Sequence, residues 1–301
     1  MRVKIILNPA SDQGRAIHER EKIERLAIAH SEADVVLTER RGHATEIARQ
    51  AVLDGYDLVV AAGGDGTVHE VVNGIMHEGK AGAMLGVIPI GSGNDFAFPL
   101  NIPLNVTAAV EHLFTGTPHT VDVARIEDEN GRFAYFDNNF GAGLDAVAVI
   151  KKEDMNDAHG FWLYFWSAMH TLLFYRDRPN VIIQFDDEIA QQPMALMAVG
   201  VGPRGGGGFF LTPDAKQDDG YIDSCTLLPN NRVAFTGLLI KTIKGNHVHD
   251  KHVTMRKSKR IILQSDSPLP IHIDGEIFAL PADNIRRVTL DVLPAALQVI
   301  C

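Results

Sequence analysis

The segment VVAAGGDGTVHEVVNG, Val59 to Gly74, decides the fold of the first half of the chain. Its apolar run ends at Gly63, and apolar residues then recur at the spacing of one helix face. The pattern predicts a buried strand, a glycine turn and a helix. Thr67 and Glu70 match a capping box, which predicts Thr67 as the N-cap. Because the unpaired amides of a helix start attract anions, the turn is a candidate phosphate site.

The segments on either side alternate in the same way. Strands are predicted at VKIILN (3–8), DVVLT (34–38), DLVVAAG (57–63) and AMLGVIPIG (83–91), with helices near 13–30 and 44–55. Beyond TVDVARI (120–126), short β-like segments separated by Asp, Asn, Gly or Pro predominate. The sequence therefore predicts an N-terminal doubly wound α/β nucleotide-binding domain followed by an all-β, C-terminal antiparallel β-sandwich. We place the domains at 1–125 and 126–293, with 294–301 as a segment that returns to the N-terminal domain.

Composition excludes several classes. A net charge of -10 argues against a nucleic-acid binder, and Cys225 and Cys301 form no CxxC pair that would indicate a disulfide framework or a zinc site. This cysteine usage fits a reducing cytoplasm. The apolar segment 159–176 is shorter than the roughly 20 residues of a membrane span, so we predict a buried helix rather than a transmembrane one. A membrane-surface element stays open as the alternative.

The turn of the opening segment contains an unexpected acid. Gly63, Gly64 and Gly66 would let a ligand approach the backbone, but the carboxylate of Asp65 would repel phosphate. The acid makes sense if a divalent cation lies between the two. An ordinary strand-to-helix turn capped by aspartate is the plain alternative.

A second turn repeats this chemistry. GVIPIGSGNDFA (86–97) ends a predicted strand and continues with glycines, Ser92 and Asp95. It has neither the lysine of a P-loop nor the G-x-G-x-x-G spacing of a dinucleotide site. Open α/β sheets bind ligands at the carboxyl ends of their strands, and Asn8, at the end of the first strand, would join the two turns there.

Together these motifs resemble the catalytic domain of the diacylglycerol kinase family, specifically its bacterial lipid kinase branch, which is related to sphingosine and ceramide kinases. The resemblance spans nearly the whole chain through NPAS (8–11), TVDV (120–123), GGGFFLTPDAKQDDGYID (206–223) and IHIDGE (271–276). GGDGT alone is shared with NAD kinases and phosphofructokinases. One departure lies in the first loop, where Asp12 and Gln13 separate Ser11 from Gly14.

The resemblance implies an ATP- and magnesium-dependent kinase that transfers the γ-phosphate to a hydroxyl of diacylglycerol or a related lipid alcohol, with ATP between the two domains. The implied ATP-binding residues are Asn8, Thr38, Gly63, Gly64, Asp65, Gly66, Thr67, Asn73 and Ser92. The implied catalytic magnesium lies near Asp65, Asp95 and Asp122, partly through water. A structural magnesium is implied at the Asp219 side chain and the carbonyls of Lys216 and Tyr221. The implied general base is Asp274, ahead of Glu276.

The residues themselves leave alternatives open. The segment IDGE is also typical of a plain hairpin turn. The acids of DAKQDDGY are also typical of a solvated loop. Seven basic residues between Lys241 and Arg260 indicate either a solvated surface or a site for anionic lipid. The expected partner is a lipid substrate at a membrane surface. The enzyme is expected in the cytoplasm, bound peripherally to the inner face of the membrane, and the sequence leaves open whether it forms a homodimer. The rival functions are an NAD kinase and a catalytically weak lipid- or nucleotide-binding regulator.

Overall fold

A computed structural model describes residues 1–77, 81–153, 167, 169, 171, 178–228 and 231–301. They form two compact units, Met1–Asp122 with Ala295–Cys301, and Val123–Pro294. Residues 118–128 and 287–300 are strands that each contribute to both units. The domain boundaries that the sequence predicts at residues 125 and 293 stay predictions.

The first unit contains a parallel sheet. Its strands are β1 (Arg2–Leu7), β2 (Glu32–Leu37), β3 (Leu58–Gly63) and β4 (Met84–Pro89), in the order β2-β1-β3-β4. Val299 of the last strand pairs in parallel with Leu85 of β4. All six residues of β3 are buried, as expected for a parallel strand covered on both faces.

The helices of this unit are α1 (Arg20–Ile28), α2 (His43–Leu53), α3 (Asp65–Ile75) and α4 (Val106–Thr115), and a 3-10 segment covers Ser11–Glu19. The single helix predicted near 13–30 is therefore wrong at its start. Asp12, Gln13 and Gly14 have φ of 48°, 59° and 84°. Three successive left-handed residues interrupt a right-handed helix, so the α-helix begins only at Arg20.

The capping box predicted for α3 is also wrong. Helix α3 begins at Asp65, and its N-cap is Gly64, with an extended backbone. Thr67 consequently lies inside the first turn. The carboxylate of Glu70 instead accepts hydrogen bonds from the backbone N–H groups of Gly42 (2.8 Å) and Ala44 (3.0 Å) at the start of α2. Glu70 thus caps the neighbouring helix.

The second unit contains two antiparallel sheets. Its strands are β5 (Pro118–Asp128), β6 (Phe133–Phe136), β7 (Asn139–Gly143), β8 (Asn180–Phe185), β9 (Glu188–Pro193), β10 (Leu196–Gly200), β11 (Ile222–Leu227), β12 (Val253–Ser258), β13 (Arg260–Ser265), β14 (Ile271–Ile273), β15 (Glu276–Ala279) and β16 (Arg287–Ile300), of which β5 and β16 begin or end in the first unit. One sheet has the order β12-β11-β10-β7-β14-β15; in the other, β16, β13, β8 and β9 pair in turn.

A buried apolar core lies between these two sheets. It combines Phe140, Val199 and Ile271 of the first sheet with Ile183 and Leu263 of the second. The predicted antiparallel sandwich is confirmed. Among its described residues, this unit has the helices α5 (Leu144–Glu153) and α6 (Arg232–Thr242), and 3-10 turns cover Asn246–His249 and Pro281–Asp283.

The helix predicted at 159–176 lies outside the described residues, apart from Ser167, Met169 and Thr171. Ser167 and Thr171 are fully buried. Among the residues that the structure describes, no helix is long and apolar enough to cross a membrane.

Candidate active site

Polar residues and glycines follow the carboxyl ends of all four strands β1 to β4. The main-chain hydrogen bonds continue one residue beyond three strand ends, from Thr38 N to Leu7 O (3.0 Å), Asn8 N to Ala62 O (3.0 Å) and Ile90 N to Gly63 O (2.8 Å). Because the strands are parallel neighbours, these residues share one edge of the sheet. That edge is where open α/β sheets bind ligands.

The two glycine turns at this edge pack backbone to backbone. A Cβ placed on Gly91 would lie 2.4 Å from Gly64 Cα, and one placed on Gly64 would lie 3.2 Å from Gly91 Cα. Asn94 holds the second turn, because its side chain accepts from Gly91 N (3.1 Å) and donates to Gly91 O (2.9 Å). Glycine is therefore required by the contact between the turns.

Side chains fix the first turn against the end of β1. Asn8 Nδ2 donates to Thr67 Oγ1 (3.1 Å), and Asn8 Oδ1 accepts from Ala10 N (3.0 Å). A Cβ on Gly63 would lie 2.3 Å from Thr67 Oγ1, so only glycine fits there. The turn leads directly into the N-terminus of α3, whose first amide groups and dipole favour an anion.

Two of the predicted ATP-binding residues lie outside the Asn8–Thr67 contact. Asn73 is two turns into α3 and donates to His69 O (2.9 Å), about 12 Å along the helix axis from Asp65 at 1.5 Å per residue. Ser92 follows Gly91 in the second turn and is exposed. The roles of Asn73 and Ser92 toward ATP stay predictions.

The three acids predicted to lie near magnesium belong to the first unit. Asp65 Oδ1 accepts from Phe96 N (3.3 Å) and so connects the two turns, while Asp122 Oδ1 accepts from Ala295 N (2.8 Å). Asp95 and Asp122 are 3% and 2% exposed. Among the described residues, no set of one oxygen from each of these three carboxylates lies within 4.8 Å. Carboxylate oxygens suit magnesium, and the magnesium site at these acids stays a prediction.

The atypical first loop does not place a further isolated acid in the turn cluster. Asp12 is paired with Arg15 at 3.7 Å, on a surface where both side chains are substantially exposed. Gly14 N donates to Ala10 O (3.1 Å), which closes the left-handed segment. The charge of Asp12 is thus largely met within its own loop.

In the second unit, Asp274 occupies the turn of a two-residue hairpin between β14 and β15. Asp274 and Gly275 have φ of 50° and 82°, as a type I′ turn requires. The Asp274 carboxylate accepts from the backbone N–H groups of Asp137 (3.2 Å), Asn138 (3.1 Å) and Asn139 (2.7 Å). The predicted hairpin is confirmed, and the carboxylate is held in one orientation by three donors.

Glu276 is the first residue of β15 and is paired with Ile273 in the register of the hairpin. It is half-buried. The three backbone donors to its carboxylate make Asp274 the ordered acid of the turn.

Sequence reasoning missed a buried pair beside this hairpin. His272 Nε2 lies 3.1 Å from Asp145 Oδ2, and the two residues are 3% and 2% exposed. His272 Nδ1 accepts from Gly275 N (3.3 Å). The signal in the sequence was only a histidine two positions before Asp274, because its partner is 127 residues away.

A small apolar cavity of about 20 Å³ lies on the other side of Asp145, inside the second unit. Its wall includes the side chains of Leu196, Phe209, Leu211, Phe235 and Leu239. The cavity belongs to a core cluster formed by α5, α6 and β10. Its volume is about that of one water molecule, so it is a small void in the packed core.

Lys257 occupies one oxygen of the carboxylate predicted to bind the structural magnesium. Asp219 Oδ2 is 2.6 Å from Lys257 Nζ, and Asp219 Oδ1 accepts from Tyr221 N (3.1 Å). Lys257 also lies 3.7 Å from Asp223, its partner in the β11–β12 register. A cation would have to displace the Lys257 ammonium from the same carboxylate, so the assignment to Lys216, Asp219 and Tyr221 stays a prediction.

The basic segment is largely neutralised by local acids. Lys241 pairs with Asp250, Lys257 with Asp219, and Arg260 with Asp291. Arg256 adds a longer contact with Glu188 at 3.7 Å. These pairs favour the solvated-surface interpretation over a dedicated anionic-lipid site.

Comparison with known proteins agrees with this architecture. Residues 2–126 match the family model of the diacylglycerol kinase catalytic domain, and residues 138–301 match the YegS C-terminal NAD kinase beta sandwich-like domain. The diacylglycerol kinase of Bacillus subtilis is 31% identical and aligns over 97% of this chain and 96% of its own. That of Staphylococcus epidermidis is 31% identical over 95% and 89%.

The fold is shared with a crystal structure of a diacylglycerol kinase from Bacillus anthracis. The TM-score is 0.75 at 23% identity, with 99% of this chain and 96% of that chain covered.

The fold and the match to the catalytic-domain model define this protein as an enzyme of the lipid kinase class. The chain belongs to the diacylglycerol kinase family, and the resemblance, fold class and enzyme class predicted from the sequence are confirmed. A kinase of this family uses ATP as co-substrate and a lipid as acceptor.

Proposed function

We propose that this enzyme transfers the γ-phosphate of ATP, with magnesium, to the hydroxyl of diacylglycerol or a related lipid alcohol. The observation that carries the proposal is the backbone contact between Gly64 and Gly91 at the start of helix α3. Two glycine turns in contact at the carboxyl edge of a parallel sheet offer amide donors to a polyphosphate. Family membership supports the lipid acceptor.

The first unit would bind the nucleotide. The amides of Asp65 and Gly66 would donate to phosphate oxygens, while the Asn8–Thr67 bond keeps the turn in place. Asp65, Asp95 and Asp122 would hold magnesium, partly through water. When bound, magnesium supplies charge neutralisation of the phosphates during transfer.

The second unit would supply the base. An alcohol has a high pKa, so a carboxylate takes its proton late, as the oxygen bonds to phosphorus. The three backbone donors leave Asp274 little freedom, and a fixed orientation reduces the entropy lost on reaching the transition state. Asp274 is therefore proposed as the base, with Glu276 as a supporting acid.

Family membership favours a lipid acceptor over NAD, because the relatives that align with most of this chain are diacylglycerol kinases. We further propose a cytoplasmic enzyme that meets its lipid peripherally, at the inner membrane face. Homodimerisation stays a prediction that light scattering of the purified enzyme tests.

A direct test is incubation with γ-labelled ATP, magnesium and a panel of diacylglycerol, monoacylglycerol, phosphatidylglycerol, ceramide and sphingosine, with NAD in a parallel reaction. We expect label in at least one lipid and none in NAD. Label in NAD alone would establish the rival NAD kinase, and label in neither would favour the weak regulator.

A further inference from the structure

The buried His272–Asp145 pair is connected to the Asp274 hairpin by one hydrogen bond. Gly275 follows Asp274 in the turn, and its N–H donates to His272 Nδ1 at 3.3 Å. Because Nδ1 accepts this bond, the proton of a neutral imidazole lies on Nε2. Nε2 then donates to Asp145 Oδ2 at 3.1 Å.

Asp145 holds this tautomer from a fixed position. It lies in the first turn of α5, where the helix N-terminus favours a carboxylate. The preceding residue, Leu144, donates its N–H to Ala195 O (3.0 Å), which anchors the helix start to the chain before β10. Both members of the pair are almost fully buried, so water does not replace the bond.

Strand β7 connects the pair and the acid. A Cβ on Gly141 would lie 2.2 Å from both Asp145 Oδ2 and His272 Nε2, so the pair forms directly against the glycine backbone. Two residues earlier, Asn139 donates its N–H to the Asp274 carboxylate and accepts from Asp274 N at 2.7 Å. Strand β7 thus contacts both the His272–Asp145 pair and the Asp274 carboxylate.

We infer that His272, oriented by Asp145, is a positioning residue that holds the Asp274 carboxylate in its catalytic orientation. This inference rests on the proposed role of Asp274 as the base. His272 touches neither substrate in this account; it fixes the αL backbone of the turn through Gly275. The αL conformations of Asp274 and Gly275 are those of a type I′ turn, and the bond to His272 adds to the contacts that hold this turn in place.

Two amide variants separate the two bonds of the imidazole. In His272→Asn the side-chain oxygen can replace Nδ1 as the acceptor for Gly275 N–H, whereas in His272→Gln the amide nitrogen can replace Nε2 as the donor to Asp145. We expect His272→Gln to lower kcat by about 10- to 100-fold, the range for a displacement of up to 1 Å. His272→Asn should recover most of that loss, and KM for ATP should stay within twofold of wild type in both.

A second His–Asp pair provides the matched control. His252 Nδ1 lies 2.9 Å from Asp250 Oδ1, in a partly buried position of the same unit, and neither residue is among the described partners of the Asp274 turn. His252→Gln should leave kcat within about twofold of wild type. Hydrogen exchange of the peptide 271–279 should accelerate in His272→Gln and not in His252→Gln.

The outcomes distinguish the inference from the function on which it rests. Full turnover in Asp274→Asn would refute the proposed role of Asp274 as the general base. If Asp274→Asn is inactive while His272→Gln keeps wild-type kcat and exchange, the positioning role is refuted and the base role stands. Equal losses in the Gln and Asn variants, proportional to lost folded protein, would mean that His272 only stabilises the fold.

Discussion

The contact between the two glycine turns makes a quantitative prediction for Gly91→Ala. The added Cβ would lie 2.4 Å from Gly64 Cα, whereas ordinary contact begins at 3.4 Å, so the turns must separate by about 1 Å. Asn94 Oδ1, at 2.9 Å from the same Cβ, restricts relief in that direction. A displacement of about 1 Å costs on the order of 100-fold when geometry is demanding.

We therefore expect kcat/KM for ATP to fall about 100-fold, or about 2.7 kcal/mol, and the Kd for ATP to rise in calorimetry. KM for the lipid should change little. Overpacking should also lower the unfolding free energy by about 1–3 kcal/mol, so assays belong well below the variant's Tm.

Two other glycine-to-alanine substitutions provide comparisons for Gly91→Ala. Gly64→Ala brings its Cβ only to 3.2 Å from Gly91 Cα, so the loss should be less than tenfold. In helix α6, Gly237 has nothing within 4 Å of an added Cβ, and Gly237→Ala should raise stability by up to about 1 kcal/mol without affecting ATP. A folded Gly91→Ala enzyme that binds ATP as tightly as wild type would refute the reasoning.

Three more predictions concern stability. Lys257→Met and Asp219→Ala should each lower the Tm, because each removes the ion pair between Lys257 and Asp219. EDTA should leave the Tm of the wild-type enzyme unchanged, and a Tm that falls with EDTA would instead support a structural metal at this loop. Glu70→Ala should lower the unfolding free energy by about 1 kcal/mol by uncapping α2, and an unchanged urea midpoint would contradict this. Burial lowers the pKa of His247, so below about pH 6.5 the unfolded chain takes up a proton that the folded one resists. Stability should therefore fall from pH 7.5 to 5.5, and by less in His247→Gln; identical slopes in urea titrations would exclude this contribution.

Local patterns predicted much of this architecture from the sequence. The apolar run before Gly63 and the helical spacing after it were sufficient for β3 and α3, and IDGE was sufficient for the hairpin. The start of α3 was misplaced because Thr67-x-x-Glu70 satisfies the capping pattern, while the partner that Glu70 actually caps belongs to another helix.

The remaining features depend on contacts between distant segments. The Gly64–Gly91 approach follows from the adjacency of β3 and β4, and the His272–Asp145 pair from β14 lying beside β7. Lys257 meets Asp219 only because of the β11–β12 register. No local pattern specifies such pairings, since they are set by how strands align in the folded sheet.

The most direct test of the account is transfer of labelled phosphate by Asp274→Asn. The variant keeps the size of the side chain but replaces the carboxylate that would take the proton from the lipid hydroxyl. We predict that transfer from ATP to diacylglycerol is abolished while the Kd for ATP, whose proposed binding residues lie in the first unit, stays within about twofold of wild type. Wild-type transfer by Asp274→Asn would contradict the central claim.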